Sequence, residues 1–599
     1  MNADLPSSAA EIRRTARLRA LASELDALVT RVRRAEHEHR QALAACAPDM
    51  QASALNLFHY LALRQVDIRD LQDALRAEGL SSLGRLESCV LRTLVAVRDA
   101  VRGLLGETIP TGEEALPDFT AGDAALAARR ARLFGPSRPE REVSIMVTLP
   151  TSAATDGTLV RDLATAGMDV VRINSAHDDE AAWRAMIAQA RALESGDGRR
   201  LKIYIDLAGP KLRTGPPATH LEVMKLKPRR GPRGEVLDAP RVGLGELPLP
   251  KTLRTRARVG DRLEFHDTRG RWRAVPVVET PAGLALEFVR SVYLESGAGL
   301  RLRREGACVC KGRLGRLPAR ELPLRVRHGD RVRVLRREHP DPHQPRAVAC
   351  SLPAALERVA PGQRVAFDDG HIAGQVVAVD GAGIEVEIDH VKPDGAWLRA
   401  GKGINLPDTR IDLPALSTDD LAVLRDFGAA VDLVGLSFVQ APEDVHALHD
   451  ALDARSAIST AIVLKIETRR AFEALPRLLL AAMRRGPFAV MVARGDLAVE
   501  VGFERLAEVQ EEILWLCEAA HTPVIWATQV LEDMARTGLP SRAEVSDAAM
   551  SERSECVMLN KGPFIVATVR FLDGVLRRMQ AHQHKKRARL RRLAVSDFD

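Results

Sequence analysis

Short apolar segments alternate with helical segments along much of this chain, and this alternation constrains the fold more than any other feature. Such alternation is typical of a parallel sheet, because each parallel strand needs a crossover connection to the next. The alternation stops near Gly215 and resumes near Pro414. The predicted strands span residues 143–149, 169–173, 201–207, 431–436, 461–466, 488–492, 523–527 and 556–559. Eight strands, in two pieces that together approach the roughly 250 residues of an eight-fold barrel, predict a (β/α)₈ barrel interrupted after its third strand.

The fold class is therefore predicted to be α/β, a TIM barrel with an inserted lid domain and an N-terminal all-α extension. Leu18, Leu21 and Leu25 recur at helical spacing and indicate the extension. We expect the extension to be separable from the barrel, because Pro-, Gly- and Asp-bearing sequence at 108–139 divides the two. The predicted parts are the helical extension at 1–139, the first barrel piece at 140–215, the β-rich lid domain at 216–410, the second barrel piece at 411–582 and a basic tail at 583–599.

One turn pattern recurs three times inside the predicted insertion. Alternating apolar residues follow each copy, as in β-hairpins. The copies are Val259-Gly260-Asp261-Arg262, His328-Gly329-Asp330-Arg331 and Pro361-Gly362-Gln363-Arg364. The insertion is therefore predicted to be a small β-barrel lid.

Composition and cysteine spacing restrict the class of protein. The chain is 46% hydrophobic over 599 residues, enough to bury several cores. Its seven cysteines are scattered, so we expect reduced thiols in a cytoplasmic protein, and we interpret Cys308 and Cys310 as part of a strand and not as half of a metal site. The N-terminal residues lack the pattern of a signal peptide. No apolar run approaches about 18 residues, so no membrane-spanning segment is expected.

The net charge of +7 would suit an anionic ligand or a nucleic acid. The most basic run is Lys585-Lys586-Arg587-Ala588-Arg589 near the C-terminus. No aromatic residues interleave with it, so we interpret it as a solvated helix end and expect no nucleic-acid partner.

Polar and charged residues gather where the predicted strands end, which is where barrels of this kind build their active sites. Lys465 and Glu467 point to the same side of the fifth strand, because side chains alternate along a strand. Asp496 follows the sixth strand at the start of a helix, whose free N–H groups attract anions. Glu467 and Asp496 are together a sufficient protein ligand set for Mg²⁺. Each of these patterns alone is typical of a surface ion pair or a turn. Five strand ends that all carry such residues together favour an active site. The strand ends are Arg172 to His177, Asp206 to Arg213, Lys465 to Glu467, Ala493 to Leu497 and Thr528-Gln529.

Eight motifs in this chain resemble those of pyruvate kinases and occur in the same order, over about residues 140–565. The motifs are GMDVVRINSAH, IDLAGPKLRTG, FDDGHI, GKGINLP, DLPALS, KIE, MVARGDLAVE and PVIWATQVLEDM. The resemblance implies a glycolytic phosphotransferase that moves the phosphoryl group of phosphoenolpyruvate to ADP, giving pyruvate and ATP.

The resemblance also implies roles for the matching residues. Lys465 would stabilise charge on the transferring phosphoryl group and on the enolate oxygen, while Glu467 and Asp496 would hold Mg²⁺ or Mn²⁺. The amides of Gly495 and Asp496, with Thr528, would receive the substrate carboxylate, and Thr528 would help to deliver a proton to the enolate. The residues implied on the phosphate and nucleotide side are Arg172, which is also implied in catalysis, Asn174, His177, Arg213 and Lys402. Asp369 would lie on the lid that closes over the site.

The monovalent-ion site of the family is altered in this chain. Many members bind K⁺ through a Ser where this chain has Ala176, and through a Thr and a Glu where it has Leu207 and Lys211. Leu and Lys resemble the K⁺-independent branch, in which the Lys ammonium stands where the ion would be. The resemblance therefore implies that the Lys211 ammonium, placed with Asp206, acts as an internal cation and that K⁺ is not required.

Other departures bear on turnover. Ala208 stands where the family has a Lys, and Asn560-Lys561-Gly562 replaces its Ser-Gly-Glu after the eighth strand. Both changes bear on nucleotide binding. About 40 residues follow the eighth strand, so we expect the family's C-terminal allosteric domain, with its sugar-phosphate activation, to be absent.

Two other classes of function remain open from the sequence. A pyruvate-dependent aldolase or lyase would need the same carboxylate pair and cation, although Lys465, Thr528 and the β-rich lid argue against it. A catalytically weak regulatory or scaffolding homologue is suggested by Ala208 and Asn560. For the leading hypothesis we expect phosphoenolpyruvate and ADP as substrates, no membrane partner, and a homo-oligomer.

Overall fold

The structure is a computed structural model that divides into two compact units. One comprises Met1–Lys211 and Asp412–Asp599, and the other Leu212–Ile411. The predicted insertion at 216–410 falls within the second unit. The residues that the structure describes are 9–108, 116–193, 199–217, 220–231, 235–318, 320–321, 324–336, 346–411, 413–455, 457, 459–585 and 587–588.

Helices make up the first part of the chain, as predicted. Leu18, Leu21, Leu25 and Leu28, which recur along one side of the first helix, are all buried. The helices are α1 (Ala9–Glu38), α2 (Arg40–Ala44), α3 (Gln51–Leu63), α4 (Arg69–Ala77), α5 (Val90–Leu104) and α6 (Ala121–Phe134).

The first barrel piece alternates strand and helix. Asp156 and Asp179 cap its two helices, each accepting hydrogen bonds from first-turn backbone N–H groups. The elements are β1 (Ser144–Thr148), α7 (Gly157–Ala166), β2 (Val170–Asn174), α8 (Glu180–Ala192) and β3 (Lys202–Asp206).

The inserted unit is β-rich, and the three repeated turns each begin a strand. The glycines Gly260, Gly329 and Gly362 adopt φ values of +87°, +80° and +87°, a conformation that favours glycine. The main sheets run β15-β14-β10-β11-β12-β9 and β24-β20-β21-β22-β18-β19-β4. Neither sheet closes on itself among the described residues, so the unit is β-rich as predicted but is not a single small β-barrel. The elements are β4 (Thr214–Pro217), β5 (His220–Leu221), β6 (Val223–Leu226), β7 (Arg229–Arg230), β8 (Val236–Asp238), β9 (Arg241–Gly243), α9 (Lys251–Arg256), β10 (Arg262–His266), β11 (Trp272–Thr280), β12 (Gly283–Glu287), β13 (Val292–Glu295), β14 (Gly299–Arg304), β15 (Ala307–Arg313), β16 (Arg320–Glu321), β17 (Leu324–Val326), β18 (Arg331–Leu335), β19 (Ala347–Cys350), β20 (Arg364–Phe367), β21 (Ile372–Asp380), β22 (Gly383–His390), β23 (Ala396–Leu398) and β24 (Ile404–Asn405).

The second barrel piece supplies the other five strands. The barrel closes in the parallel order β1-β2-β3-β25-β26-β27-β28-β29, with Ser144 of β1 paired with Cys556 of β29. This confirms the predicted eight-stranded barrel. The elements are α10 (Thr418–Phe427), β25 (Leu433–Leu436), α11 (Pro442–Asp453), β26 (Ala461–Ile466), α12 (Arg469–Glu473), α13 (Leu475–Ala482), β27 (Ala489–Ala493), α14 (Arg494–Val501), α15 (Phe503–Ala519), β28 (Val524–Ala527), α16 (Glu532–Thr537), α17 (Arg542–Met550), β29 (Cys556–Leu559), α18 (Ile565–Gln580), β30 (Gln583–His584) and β31 (Arg587–Ala588).

The predicted basic tail at 583–599 lies mostly outside the described residues. Of its basic run, the structure describes Lys585, Arg587 and Ala588. Lys585 pairs with Glu555, and Arg587–Ala588 forms a short strand that pairs with Gln583–His584, so the prediction of a solvated helix end is wrong for these residues. No described helix has both the length and the apolar character that crossing a membrane requires.

Helix α6 and the barrel share one hydrophobic cluster. Leu133 and Phe134, at the end of α6, pack with inward-facing residues of the strands such as Met146 and Tyr204. Phe134 is 1% exposed. Helix α3 adds polar contacts to the barrel, because Asn56 donates a hydrogen bond to the Ala519 carbonyl at 2.8 Å. These contacts weigh against the hypothesis that residues 1–139 separate from the barrel.

We therefore expect removal of residues 1–139 to give an insoluble or loosely packed protein. Losing Phe134 alone would remove a buried aromatic side chain, a change that typically costs about 3–5 kcal/mol. A second deletion, of residues 1–115, keeps α6 and should be less damaging. Soluble yield and thermal unfolding followed by circular dichroism measure both. A 1–139 deletion as stable as the full chain would restore the separability hypothesis.

Candidate active site

Asp206, at the end of β3, is the centre of a buried polar cluster in the barrel. It is 1% exposed. Arg172, from the end of β2, places its Nη2 atom 2.5 Å from Asp206 Oδ2. The Tyr204 hydroxyl donates to Asp206 Oδ1 at 2.7 Å. Burial alone would raise the pKa of Asp206, but Lys465 and Arg172 overcome it and hold the pKa below its usual range. Asp206 is therefore a carboxylate that anchors two cations.

Lys465, near the end of β26, lies between three oxygen-bearing side chains. Its Nζ atom is 3.2 Å from Asp206 Oδ1, 3.0 Å from Glu467 Oε1 and 2.8 Å from Ser437 Oγ. The contact with Glu467 shows that Lys465 and Glu467 point to the same side of the strand, as predicted. Burial would lower the pKa of Lys465, yet Asp206 and Glu467 raise it. The ammonium is therefore charged and fixed in direction.

Glu467 is buried, and its second oxygen accepts a hydrogen bond from the Phe438 backbone N–H at 2.7 Å. Burial raises the pKa of Glu467; Lys465 opposes this rise, and the nearby charge of Asp496 adds to it. The predicted metal ligands are therefore close enough to interact electrostatically. Their oxygens are hard donors of the kind that Mg²⁺ prefers.

Lys211 pairs with Asp496 and not with Asp206. The Lys211 Nζ atom is 3.0 Å from Asp496 Oδ2 and 5.6 Å from the centre of the Phe438 ring. The structure therefore places Lys211 beside Asp496, whereas the prediction placed it with Asp206. The physical reason is that Arg172, Lys465 and Tyr204 already occupy the oxygens of Asp206.

Gly495 and Thr528 face each other across neighbouring strand ends. A Cβ atom at Gly495 would lie 2.8 Å from Thr528 Cγ2, so a larger residue would push Thr528 away. Thr528 has a φ of +71°, which is unusual for a β-branched residue. Arg494 stabilises this backbone by donating to the carbonyls of Ala527 at 2.8 Å and Thr528 at 2.6 Å. Asp547 in turn pairs with Arg494.

The amides predicted to receive an anion lie in the first turn of α14, which starts directly after β27. First-turn N–H groups lack partners within the helix and carry partial positive charge. Gly495 and Asp496 both fall in this turn. The helix start therefore suits the carboxylate of a small substrate.

Asn174 and His177 lie at and just after the end of β2. Asn174 Oδ1 accepts a hydrogen bond from the Ala176 N–H at 3.1 Å, and the His177 carbonyl accepts one from Trp183 Nε1 at 2.9 Å. Ser175 donates through its side chain to the Asp206 carbonyl at 2.9 Å, which ties this loop to β3. The loop therefore belongs to the same end of the barrel as the charged cluster.

The remaining predicted residues lie together in the inserted unit. Asp369 sits in the tight turn between β20 and β21, with a φ of +54°. The neighbouring Asp368 pairs with Lys402, whose Nζ atom is 2.7 Å away. Arg213 donates to the Gly401 carbonyl at 2.9 Å, next to Lys402. Arg213, Lys402 and the Asp369 turn thus form one group within this unit.

Sequence reasoning missed several supporting residues. Ser437 contacts Lys465 and also donates to the Leu207 carbonyl at 2.6 Å, and Thr148 accepts from Arg172 at 2.8 Å. Both stand at the C-terminal ends of barrel strands, Thr148 on β1 and Ser437 directly after β25. Their signal in the sequence is therefore a polar residue at a strand end, the same signal that indicated the other site residues. Arg494 stands in the MVARGDLAVE motif, but its role depends on Asp547, which is distant in sequence.

Formal charges in the cluster balance. The cations are Arg172, Lys465 and Lys211, and the carboxylates are Asp206, Glu467 and Asp496. Within the described part of the chain, no group of three or more His, Cys, Asp or Glu side chains could hold a metal ion by itself. A doubly charged ion at the two carboxylates would therefore complete its ligand sphere with substrate and water oxygens.

A family profile described as "Pyruvate kinase, barrel domain" matches residues 140–229 and 310–563. These ranges contain every residue of the clusters described above and make up more than half of the chain.

Curated relatives agree with this match. Pyruvate kinase PKLR of Rattus norvegicus is 36% identical over 231 residues, which are 37% of this chain and 38% of the relative. Pyruvate kinase of Geobacillus stearothermophilus is 32% identical over 249 residues, or 40% of this chain and 41% of the relative. Pyruvate kinase of Mycobacterium intracellulare is 33% identical over 275 residues, which are 44% of this chain and 55% of the relative. The chain thus spans between about two fifths and just over half of the length of these relatives.

Proposed function

Because this chain belongs to the pyruvate kinase family, we propose that it transfers the phosphoryl group of phosphoenolpyruvate to ADP. The observation that carries the proposal is the position of the Lys465 ammonium, which is buried, charged and held by Asp206, Glu467 and Ser437 at the C-terminal end of the barrel. A fixed cation in a site shielded from water stabilises charge that develops during reaction.

Lys465 and Arg172 are the groups proposed to meet the negative charge of the reacting phosphate and enolate. Asp206 holds both cations, so neither has to reorganise when the substrate arrives. Such preorganisation is the main electrostatic contribution available to an enzyme that transfers phosphoryl groups.

Glu467 and Asp496 are proposed to hold Mg²⁺, or Mn²⁺, since they supply hard oxygen donors and lie close enough to affect each other's charge. When bound, the ion would supply positive charge to phosphate and carboxylate oxygens of the substrate. The Lys211 ammonium, 3.0 Å from Asp496, is proposed to replace K⁺.

The substrate carboxylate is proposed to lie on the amides of Gly495 and Asp496 and against Thr528. The Thr528 hydroxyl would then help to deliver the proton that converts enolpyruvate into pyruvate. The clamp from Arg494 to the Thr528 carbonyl keeps that side chain in place. Asn174, His177, Arg213 and Lys402 are proposed for the phosphate and nucleotide side, with Asp369 on the closing lid.

The direct test is to measure pyruvate formed from phosphoenolpyruvate and ADP by the purified full chain with Mg²⁺. We expect turnover that depends on both substrates and disappears when a chelator removes the divalent ion. Mn²⁺ should restore it. No pyruvate with either ion, from a folded protein, would exclude the proposed activity.

Ala208 and Asn560 support one alternative, a catalytically weak regulatory homologue, because they replace polar groups that the family places at the ends of its third and eighth strands. The same assay separates the two. Turnover typical of an enzyme, about 1–100 per second for phosphoryl transfer, supports the leading proposal, and a rate far below this range supports the alternative.

We also propose that the protein is a cytoplasmic homo-oligomer. All seven cysteines are free thiols, which suits a reducing compartment. Two large apolar side chains, Phe503 and Leu539, are 70% and 76% exposed, as expected of residues that a second subunit would cover.

A further inference from the structure

A cavity of about 510 Å³ opens between the N-terminal helices and barrel helix α15. Its lining comes from the end of α3, the segment that leads into α4, the loop around Leu83, and Trp515 of α15. None of the residues proposed for phosphoryl transfer contributes to it. The volume lies within the range of small-molecule sites in proteins.

One cation in this cavity is positioned by aromatic rings. The guanidinium carbon of Arg64 is 5.5 Å from the centre of the Tyr60 ring and 5.0 Å from the centre of the Trp515 ring. Its Nη1 atom donates to the Tyr60 hydroxyl at 2.7 Å. These contacts leave the Nε and Nη2 edge of the guanidinium available, and this edge matches the two oxygens of a carboxylate.

The second arginine of the lining, Arg69, is already neutralised. It makes three hydrogen bonds to the Asp67 carboxylate, the shortest of 2.5 Å. Within the described part of the chain, by contrast, no carboxylate lies within ion-pair distance of Arg64. The cavity therefore offers one cation to an incoming anion.

The other walls of the cavity set the charge and polarity of what fits. Leu63, Leu83 and Leu86 are buried and apolar. Glu87 is also among the lining residues, so the formal charges of Arg64, Arg69, Asp67 and Glu87 cancel. A monoanion with an apolar body meets both the guanidinium and the leucines, whereas inorganic phosphate has no apolar part for the leucines to contact.

The loop on this wall has a strained backbone. Leu83 is 3% exposed and has a φ of +60°, a conformation that bulky side chains rarely adopt. Such strain clusters at ligand sites, where the surrounding structure holds it in place. Here it accompanies a buried leucine side chain in the lining of the cavity that also contains Arg64.

From these observations we propose that this cavity binds a small organic carboxylate with an apolar body. Arg64 takes the carboxylate, and Leu63, Leu83, Leu86 and Trp515 enclose the apolar part. The ligand bridges the N-terminal helices and the barrel, so it is an effector or a stabiliser and not a substrate of the barrel site. The proposal does not depend on phosphoryl transfer, because binding is measured directly.

The test is to titrate the full chain with phenylacetate and to measure binding by calorimetry and by tryptophan fluorescence. Phenethylamine, which has the same ring and the opposite charge, and inorganic phosphate, which has no apolar body, serve as comparisons. We expect phenylacetate to bind more tightly than phenethylamine and inorganic phosphate. We also expect it to quench the fluorescence of Trp515, and the variant Trp515→Phe should lose this change in fluorescence. Equal binding of phosphate, or no phenylacetate binding at millimolar concentration, would overturn the assignment.

Two variants locate the binding. Arg64→Gln should weaken phenylacetate at least about tenfold, the usual contribution of a charge-assisted hydrogen bond. The matched control, Arg69→Gln, should change it by no more than about twofold, since Arg69 is already paired. Val66→Trp, at a half-exposed lining position, should block binding by filling the cavity while Arg64 remains. An unchanged affinity in folded Arg64→Gln refutes the proposal.

Discussion

Lys465→Met is expected to lower pyruvate formation at least about a hundredfold, and to do so through kcat more than through KM. The variant removes the ammonium that Asp206, Glu467 and Ser437 hold in the barrel, and methionine has similar length but no charge. The groups proposed to bind the substrate carboxylate stay in place, so binding should survive better than turnover. Steady-state kinetics with phosphoenolpyruvate and ADP measure the two parameters separately.

The control for this experiment must show that the fold survives, because removing one partner of a buried ion pair can cost about 3–5 kcal/mol. Lys202→Met is a matched variant on β3, near the other end of the barrel, where Lys202 is 3.4 Å from Asp432. We expect it to keep turnover within about twofold. Circular dichroism and thermal unfolding establish that both variants are folded. A folded Lys465→Met with activity within about tenfold of wild type would contradict the site assignment.

Lys211→Glu is expected to lower turnover at least about tenfold in the absence of K⁺, and to recover part of it when K⁺ is added. In the wild type Lys211 places a cation 3.0 Å from Asp496, whereas glutamate puts a second carboxylate beside it. Like charges at such distances repel by several kcal/mol at the effective dielectric of a protein surface. Added K⁺ would offset this repulsion, although Ala176 still lacks the hydroxyl that would complete an ion site.

Wild type and variant are assayed with Mg²⁺ in buffer free of Na⁺ and K⁺, and again with KCl. An organic cation holds the ionic strength constant, so that screening is not mistaken for specific binding. Lys211→Gln separates the two effects of the substitution, because it removes the cation without adding a carboxylate and should not respond to K⁺. A wild type that is inactive until K⁺ is added would refute the internal-cation hypothesis.

The barrel was predictable because its strands are short apolar runs that differ from the helices around them. The predicted strands at 461–466 and 556–559 coincide with β26 and β29 at both ends. The place of α6 was not predictable from local pattern. Its surroundings contain Pro and Gly and resemble a linker, and Phe134 is buried through contact with strands that follow it in the chain.

The candidate site divides in the same way. The contact between Lys465 and Glu467 follows from the two-residue period of a single strand, and it was predicted. The partner of Lys211 depends on which carboxylates other cations have already occupied, and Asp496 lies 285 residues away. The family resemblance implied Asp206 as the partner of Lys211, whereas in this structure the partner is Asp496. The Arg64 cavity, built from segments with no shared motif, gave no signal in the sequence.

The closure of β1 against β29 has a consequence for how the chain is made. Ser144 pairs with Cys556, although residues 212–411 of the inserted unit come between these two residues in the sequence. At the synthesis rates of ribosomes, roughly 20–80 s separate the emergence of these two strands. Throughout that interval β1 has an open edge, and Leu133 and Phe134 lack the neighbours that the last strand supplies. Productive assembly of this protein is therefore a matter of keeping a half-built barrel from pairing with other nascent chains until its last strand arrives.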